Sequence, residues 1–435
     1  MRDWTAERVA EAAGARLVEP GVRRDGPSRV TIDSRQARVG DLFVGLPGER
    51  VDGGRFAADV LGAGAWGVLV GEGWAGVEDP TDPPGAILVA PDPLLALQRL
   101  ALAWRRELGA AVIGVTGSTG KTSTKDLVAA MAATARSVVA TPKNLNTEIG
   151  LPLTILGGPV GTEVLVLEMA MRGAGQIAEL TQIAEPDVGV IVNVGPVHLE
   201  LLGSIEAIAA AKAELVAGLR PGATAVLPAG ERLLDPYRRD DVTIVTFGRG
   251  GDVEELPAGL EVTVGGRPLS AHMRSNALAA LAAVTAIGVR PGGRVDVEIS
   301  ELRGQRVELP GGVVVVNDCY NANPMSMRAA LDDLSASASG RRVAVLGDML
   351  ELGPGEEAFH AEIGAHARAA GVDVLVTVGP LAAAMGPAFG GEVHAVPDAA
   401  DAVALLPSLL RAGDTVLVKA SRGVGLEAVA EGLAG

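Results

Sequence analysis

Gly117-Ser-Thr-Gly-Lys-Thr-Ser123 gathers two glycines, a lysine and four hydroxyl side chains into seven residues. That set suits a polyphosphate. Gly117 and Gly120 let the backbone N–H groups around Ser118 and Thr119 turn inward on an anion. Lys121 can reach the terminal phosphates, and the Thr122 hydroxyl is placed to ligate Mg²⁺, with Ser123 next in the same turn. The strict G-x-x-x-x-G-K-[ST] pattern is broken by Val115 in its first position. An apolar strand through Val112, Ile113 and Val115 nevertheless leads in, and a helix over Lys121 to Ala133 leads out, so nucleotide binding is expected rather than a glycine-rich turn without a ligand.

Other polar residues stand where strands end. Glu168 follows Val164-Leu-Val-Leu167, and His198 follows Val190-Ile-Val-Asn-Val-Gly-Pro-Val197. In parallel sheets ligands gather at the carboxyl ends of strands, which is also where the phosphate loop lies. Further on, Asn317-Asp-Cys-Tyr-Asn-Ala-Asn-Pro324, Gly347-Asp348 and Lys419-Ala-Ser-Arg422 each close an apolar run. Three such endings on one sheet edge predict a cleft. Lys212 is of a different kind. Ser204 can cap a helix whose apolar positions are Ile205, Ile208, Leu215 and Leu219, and Lys212 sits within their stripe. Spacing alone is met by a lysine that snorkels to the edge of the stripe.

The elements that must position these residues read as strand and helix in alternation, in three blocks. The first, residues 1–105, has short strands over Arg29 to Ile32, Asp41 to Val44 and Gly67 to Val70, a Pro-rich loop over Asp79 to Pro84, and a helix over Pro93 to Leu108. Its turns, Asp33-Ser34-Arg35 among them, offer hydroxyl, guanidinium and N–H groups that could hold a nucleotide diphosphate. The second, 106–301, has near-continuous apolar strands over Val138 to Ala140, Val164 to Leu167, Val188 to Val194 and Ala225 to Leu227, as a doubly covered parallel sheet requires. The third, 302–435, repeats the rhythm with strands over Val313 to Val316, Val343 to Leu346, Val374 to Val378 and Thr415 to Val418. Helices begin at Ser326, Glu356 and Ala399. It is Rossmann-like without G-x-G-x-x-G, so dinucleotide binding is not indicated.

Composition narrows the partners. A chain of 435 residues, 48% hydrophobic and 21% charged, is long enough for several sizeable cores. A net charge of −16 argues against a nucleic-acid or anionic-membrane surface, so a polyanionic substrate must be held by local Lys, Arg and Mg²⁺. One cysteine, Cys319, excludes an intrachain disulfide. Met1 to Arg8 is too charged for a signal peptide, and the apolar run Ala277 to Val289 is too short to span a bilayer. A cytoplasmic monomer without membrane insertion is expected.

Taken together, these stretches resemble the Mur ligase family over essentially the whole chain. The likeness is carried by Gly114 to Thr122, Lys143-Asn-Leu-Asn146 leading to Gly150, Glu168-Met169, Asn193 to His198, Lys212-Ala-Glu214, Asp318 to Pro324 with Ser326-Met327, Gly347 to Gly353, and Lys419 to Arg422. The resemblance implies an α/β fold of three domains: a central P-loop parallel-sheet ATPase domain flanked by an N-terminal UDP-binding α/β domain and a C-terminal Rossmann-like domain. It implies ATP-dependent amide synthesis through an acyl phosphate. The Tyr-Asn-Ala-Asn-Pro run points within the family to UDP-N-acetylmuramoyl-tripeptide and D-Ala-D-Ala as substrates.

By the same resemblance Lys121 and the loop bind the β- and γ-phosphates, Thr122 and Glu168 hold one Mg²⁺, and His198 a second, joined by a carbamylated Lys212. Asn276, Arg303 and Asp318 contact adenosine or phosphates. Met273 departs from the Asn usual in His272-x-x-x-Asn276. Ser34 and Arg35 hold the UDP, while Asn146, Tyr320, Asn321, Asn323, Lys419, Ser421 and Arg422 serve the substrates. Two rivals remain: a Mur-type or folylpolyglutamate-type ligase adding a single amino acid, and a P-loop regulatory NTPase.

Overall fold

The computed structural model describes residues 1–74 and 85–434; the Pro-rich run Asp79 to Pro84 falls outside them. The chain builds three α/β domains on three main sheets. After α1 (Ala6–Ala13), the strands β1 (Arg16–Glu19), β2 (Arg29–Thr31), β3 (Asp41–Val44), β4 (Gly67–Gly71) and β5 (Ala86–Ala90) form the first sheet, in the order β1-β5-β4-β3-β2. All neighbours are parallel except β1, which runs antiparallel to β5. The helix α2 (Ala57–Gly62) packs on one face. On the other lies α3 (Pro93–Leu108), opened by an Asp92 cap with Pro at its first position and closed by left-handed Gly109. These are the standard start and stop signals of a helix.

The central sheet takes β6 (Ala111–Thr116), β7 (Val138–Ala140), β8 (Val164–Glu168), β9 (Val188–Ile191), β10 (Thr224–Pro228) and β11 (Thr243–Phe247) in the order β11-β10-β9-β6-β8-β7, all parallel. Its helices are α4 (Lys121–Ala133), α5 (Gly150–Leu156), α6 (Gln176–Ala184), the short α7 (Leu199–Leu202) and α8 (Ile205–Ala217). The order reverses at β6, so the loop after it lies at the topological switch point, where open α/β sheets bind ligands. A small sheet follows, β12 (Leu260–Val264), β13 (Arg267–Pro268) and β14 (Gly293–Val297), with α9 (Ala271–Ala286) between; sequence patterning did not signal it, because its strands are short and share no burial pattern.

The third sheet is β15 (Gln305–Leu309), β16 (Val313–Asn317), β17 (Arg342–Gly347), β18 (Val374–Val378), β19 (Glu392–Val396) and β20 (Thr415–Lys419), in the order β15-β16-β20-β17-β18-β19. Only β15 is antiparallel to its neighbour. Around it lie α10 (Pro324–Ser337), α11 (Glu356–Ala369), α12 (Met385–Phe389), α13 (Ala399–Leu409) and α14 (Glu427–Ala434). The expected strand Val188 to Val194 ends earlier, at Ile191, because the chain from Val192 onward turns to face the phosphate loop.

The cores are divided unevenly. One hydrophobic body runs from the first sheet through α3 into the central sheet, uniting Trp4, Leu42, Leu88, Trp104, Leu151 and Leu165. Trp4 meets Trp104 edge to face at 5.4 Å between ring centres. The third sheet keeps two cores to itself, one on each face. Among the described residues no helix is long and apolar enough to cross a membrane.

Candidate active site

The phosphate loop needs glycine at Gly120 for two reasons. Its φ of +78° lies in the left-handed region, and a Cβ there would stand 2.9 Å from the Asn276 side-chain oxygen. Asn276 on α9 therefore lies directly against the loop, its Nδ2 also 3.8 Å from the soft acceptor Sδ of Met273. The loop is braced from β9's extension. Asn193 Oδ1 accepts the N–H groups of both Ser118 and Thr119 at 3.1 and 3.0 Å, and Ser118 Oγ bonds the backbone of Gly195.

Lys121 folds back so that its ammonium donates to the Gly117 carbonyl at 2.9 Å. Burial lowers its pKa, against the opposing pull of the Glu168 carboxylate, and the Arg303 charge lowers it further. Thr122 is buried, and its Oγ1 accepts from Arg303 Nη2 at 3.2 Å. Ser123 is half-buried beside it on the first turn of α4.

Glu168 ends β8 at 2% exposure, its backbone N–H held by Thr141 Oγ1. One carboxylate oxygen accepts from Asn146 Nδ2 at 2.8 Å; the other, Oε2, is buried with no protein partner. A buried carboxylate oxygen left in that state costs about 1–3 kcal/mol or more unless a cation or donor meets it. The residues present therefore fit a divalent cation. Among the described residues no three His, Cys, Asp or Glu cluster as a protein-only cage. Mg²⁺ is usually held by one or two carboxylates together with substrate phosphates and water.

His198 sits in the left-handed region at φ +55° and points Nδ1 at Glu351 Oε2, 2.5 Å away. Burial lowers the imidazole pKa; the Glu351 carboxylate opposes, while the Lys121 and Lys212 charges add to the lowering. Lys212 lies on α8, which Ser204 caps through the Ala207 N–H as its spacing predicts. At 2% exposure Lys212 does not snorkel to the surface. Burial, with the Lys121 charge second, pulls its ammonium well below the ordinary lysine value. Lys121 thus acts electrostatically on both His198 and Lys212, and Glu168 acts on Lys121.

The third domain brings its strand-end loops to the same place. Arg303 lies 3.9 Å from the centre of the Tyr320 ring and Arg422 5.6 Å, so the ring carries a guanidinium on each count. Lys419 is buried and donates to Asp318 Oδ2 at 2.6 Å and to the Asn321 carbonyl at 2.9 Å. Asn323 has a structural duty: its Oδ1 accepts the Ser326 N–H as the cap of α10. Ser421 Oγ accepts the Leu350 N–H at 2.9 Å and donates to the Ala322 carbonyl. Burial pushes the Cys319 thiol up to about 12, which leaves it no nucleophilic work. Ser34 and Arg35 lie in a separate cluster on the first domain, where the exposed Arg35 is paired with Asp33 at 2.9 Å and holds that carboxyl down to about 2.

Sequence reasoning assigned no role to Asn193, Glu351, Asp126 or Ser300. Asn193 and Glu351 lay inside stretches already singled out, and a polar side chain directly after an apolar strand was the available signal for the first. Asp126 on α4 accepts the N–H and hydroxyl of Ser300 at 2.9 and 3.0 Å, and nothing in local spacing announces a contact across 174 residues.

A phosphate loop at a sheet's switch point, with the strand-end cations and amides of a second α/β domain brought against it, fits an ATP-dependent ligase, and the chain belongs to the Mur ligase family. Residues 115–284 match the Mur ligase middle domain and residues 302–422 the Mur ligase, glutamate ligase domain. The UDP-N-acetylmuramoyl-tripeptide–D-alanyl-D-alanine ligase of Bacillus subtilis (strain 168) is 37% identical over 99% of this chain and 98% of its own. That of Escherichia coli (strain K12) is 32% identical over 93% of each. Among solved structures, MurF from Acinetobacter baumannii superposes with a TM-score of 0.84 at 28% identity, covering 99% of this chain and 98% of that one. The MurF ligase from Thermotoga maritima in complex with ADP gives 0.78 at 30% identity, over 93% and 96%.

Proposed function

We propose that this ligase adds D-Ala-D-Ala to UDP-N-acetylmuramoyl-tripeptide in the cytoplasm, as a monomer, with its domains divided at residues 105 and 301. A carboxylate is a poor electrophile. ATP's γ-phosphoryl is therefore transferred to the terminal carboxylate of the tripeptide, and the amine of the dipeptide attacks the resulting acyl phosphate with loss of phosphate. Both partners of the first step are anions, and the cations of the site bring them together. Lys121 and the N–H groups of the loop that Asn193 does not take hold the β- and γ-phosphates. Asn276 and Arg303, with Asp318, hold the rest of the nucleotide, and Ser34 and Arg35 hold the UDP of the other substrate.

Thr122 and Glu168 would hold one Mg²⁺, and His198 a second with Lys212 as its carbamate; bound there, the metal supplies positive charge against the phosphoryl oxygens. Carbamylation needs a neutral amine, which the burial of Lys212 favours. Asn146 orients Glu168. Lys419, Ser421 and Arg422, with Tyr320, Asn321 and Asn323, frame the side from which the amine enters.

One observation carries the reading: the loop Asp318 to Pro324 and the run Lys419 to Arg422 are tied together by the Lys419 bonds to Asp318 and Asn321, and the same domain reaches Thr122 through Arg303. A neutral dipeptide offers no charged side chain, so its selection rests on amide groups and shape. Sites with hydrogen-bonding groups reject ligands that leave them unpaired far more strongly than the roughly 10- to 200-fold discrimination a methyl group gives. The test is product mass with UDP-N-acetylmuramoyl-tripeptide, ATP, Mg²⁺ and each candidate amine. D-Ala-D-Ala should be added and free D-Ala used very poorly; efficient addition of a single amino acid without preference for the dipeptide would overturn the assignment.

A further inference from the structure

The loop Gly347 to Gly353 of the third domain reaches across to the stretch Asn193 to Glu200 of the central one. Glu351 Oε2 takes the Nδ1 side of His198 at 2.5 Å, while Oε1 takes Arg172 Nη2 at the same distance. Both Glu351 and His198 hold left-handed backbone, at φ +62° and +55°. Such conformations are uncommon for residues with a Cβ and persist where the surroundings impose them.

Here the surroundings do so from both sides. The Met349 N–H is held by buried His360 Nε2 at 2.9 Å, and the Leu350 N–H by buried Ser421 Oγ at 2.9 Å. His360 is fixed in turn by a bond from its other nitrogen to the Glu356 carbonyl at 2.6 Å. Beyond Glu351, left-handed Gly353 lies so close to Glu200 that a Cβ would stand 3.1 Å from its Cα, and the Glu200 N–H lies 3.4 Å from the Glu351 carbonyl. The carboxylate is delivered by a built loop rather than by a loose surface chain.

A carboxylate on one imidazole nitrogen fixes the tautomer and the ring's orientation, and directs the lone pair of the other nitrogen. With Nδ1 committed to Glu351, Nε2 is the nitrogen His198 has left to offer. We propose that Glu351 is a positioning residue: it crosses the domain boundary to orient His198 for the second Mg²⁺, so that the cation site is complete only when the third domain is closed on the central one. The inference rests on the reading of His198 as a cation ligand. Arg172, on the other oxygen, neutralises the carboxylate and helps hold it in place.

Orientation of His198 and simple tethering of the two domains make different demands, and Mn²⁺ binding separates them. Mn²⁺ would be titrated into the full chain with saturating ADP and followed by electron paramagnetic resonance, for the parent, E351A, E351Q, R172A, H198A and the H198A/E351A pair. Circular dichroism would confirm that each is folded. Loss of such a carboxylate partner typically weakens a metal site by about 10- to 100-fold. E351A should weaken the second Mn²⁺ by that factor, E351Q by less because the amide oxygen still accepts from Nδ1–H, and R172A by less than E351A. In the H198A background E351A should change nothing further.

Unaltered Mn²⁺ affinity in folded E351A overturns the proposal, as does an equal loss in R172A, which would make Glu351 a tether. An undiminished effect of E351A in the H198A background overturns it as well. Full affinity in H198A alone strikes at the ligand assignment itself, whereas a weakened H198A beside an unaffected E351A strikes only at the role of Glu351.

Discussion

Asn146 Nδ2 donates to Glu168 Oε1 at 2.8 Å, and that single bond decides which oxygen of the buried carboxylate is left for a cation. N146A should leave Glu168 free to rotate and lower Mg²⁺ affinity by about 10- to 100-fold, the usual effect of removing a partner of a metal ligand. N146D sets a second negative charge beside Glu168. One of the two carboxyls must then hold a proton, and the Mg²⁺ dependence of turnover should acquire a new pH dependence. Mg²⁺ titrations of turnover at several pH values check both; unchanged titrations in N146A would remove Asn146 from the site.

Lys121→Ala should reduce kcat by about 10²- to 10³-fold or more, the scale of losing one donor that meets developing charge. Among the described residues its ammonium donates to the Gly117 carbonyl of its own loop, so the fold should survive. ADP formation in the folded variant, with its thermal melt as control, is the measurement, and near-normal turnover is the outcome that refutes it.

Lys212 predicts both chemistry and stability. In buffer with ¹³C-bicarbonate, a carbamate resonance should appear in the parent and be absent from K212M. In CO₂-free buffer the folded amine loses its proton at a lower pH than the unfolded one, because burial lowers the folded pKa well below 10.5. Unfolding then takes up a proton. Parent stability must therefore rise with pH between the folded pKa and the unfolded one, by up to about 1.4 kcal/mol per pH unit, and fall away as pH drops through that window. K212M lacks this slope, so its advantage over the parent should shrink as pH climbs toward 10.5. Parallel pH profiles from urea unfolding would contradict the account.

The linker into the third domain is fixed to the phosphate-loop helix by Asp126 and Ser300, three residues before Arg303 meets Thr122. Hydrogen bonds to a charged group contribute about 1.5–3 kcal/mol. D126A should raise the KM for ATP through a displaced Arg303, with kcat less affected, and S300A should do so more weakly because the Ser300 N–H contact remains. Equal steady-state constants for all three proteins would show that the linker holds Arg303 without this anchor.

Much of this was legible in the sequence where one physical signal dominates. The helices Pro93–Leu108 and Lys121–Ala133 were bounded correctly because Asp92, Pro93 and the loop glycines mark their ends. The strands of the parallel sheets announced themselves as unbroken apolar runs. Lys212 stood out because a charge in an apolar stripe is a local contradiction. What escaped was set by distance along the chain. The bonds of Glu351 to His198 and of Asp126 to Ser300 span 153 and 174 residues, and neither has a local periodicity. The strands β12, β13 and β14 escaped because runs of two to five residues with no shared burial pattern resemble any surface turn.

The hydrophobic body shared by the first and central domains also bears on how the chain matures as it is made. Helix α3 buries Ala96, Leu97, Leu100, Ala101 and Trp104, and its partners include α5 and α6, which begin only at Gly150 and Gln176. While the ribosome is still short of those residues, the side of α3 that meets α5 and α6 stays uncovered. Domains emerging from synthesis generally fold as units from the N-terminus, but here the first unit is finished by the second. The third sheet, with its own two cores, has no such debt and can close upon itself last.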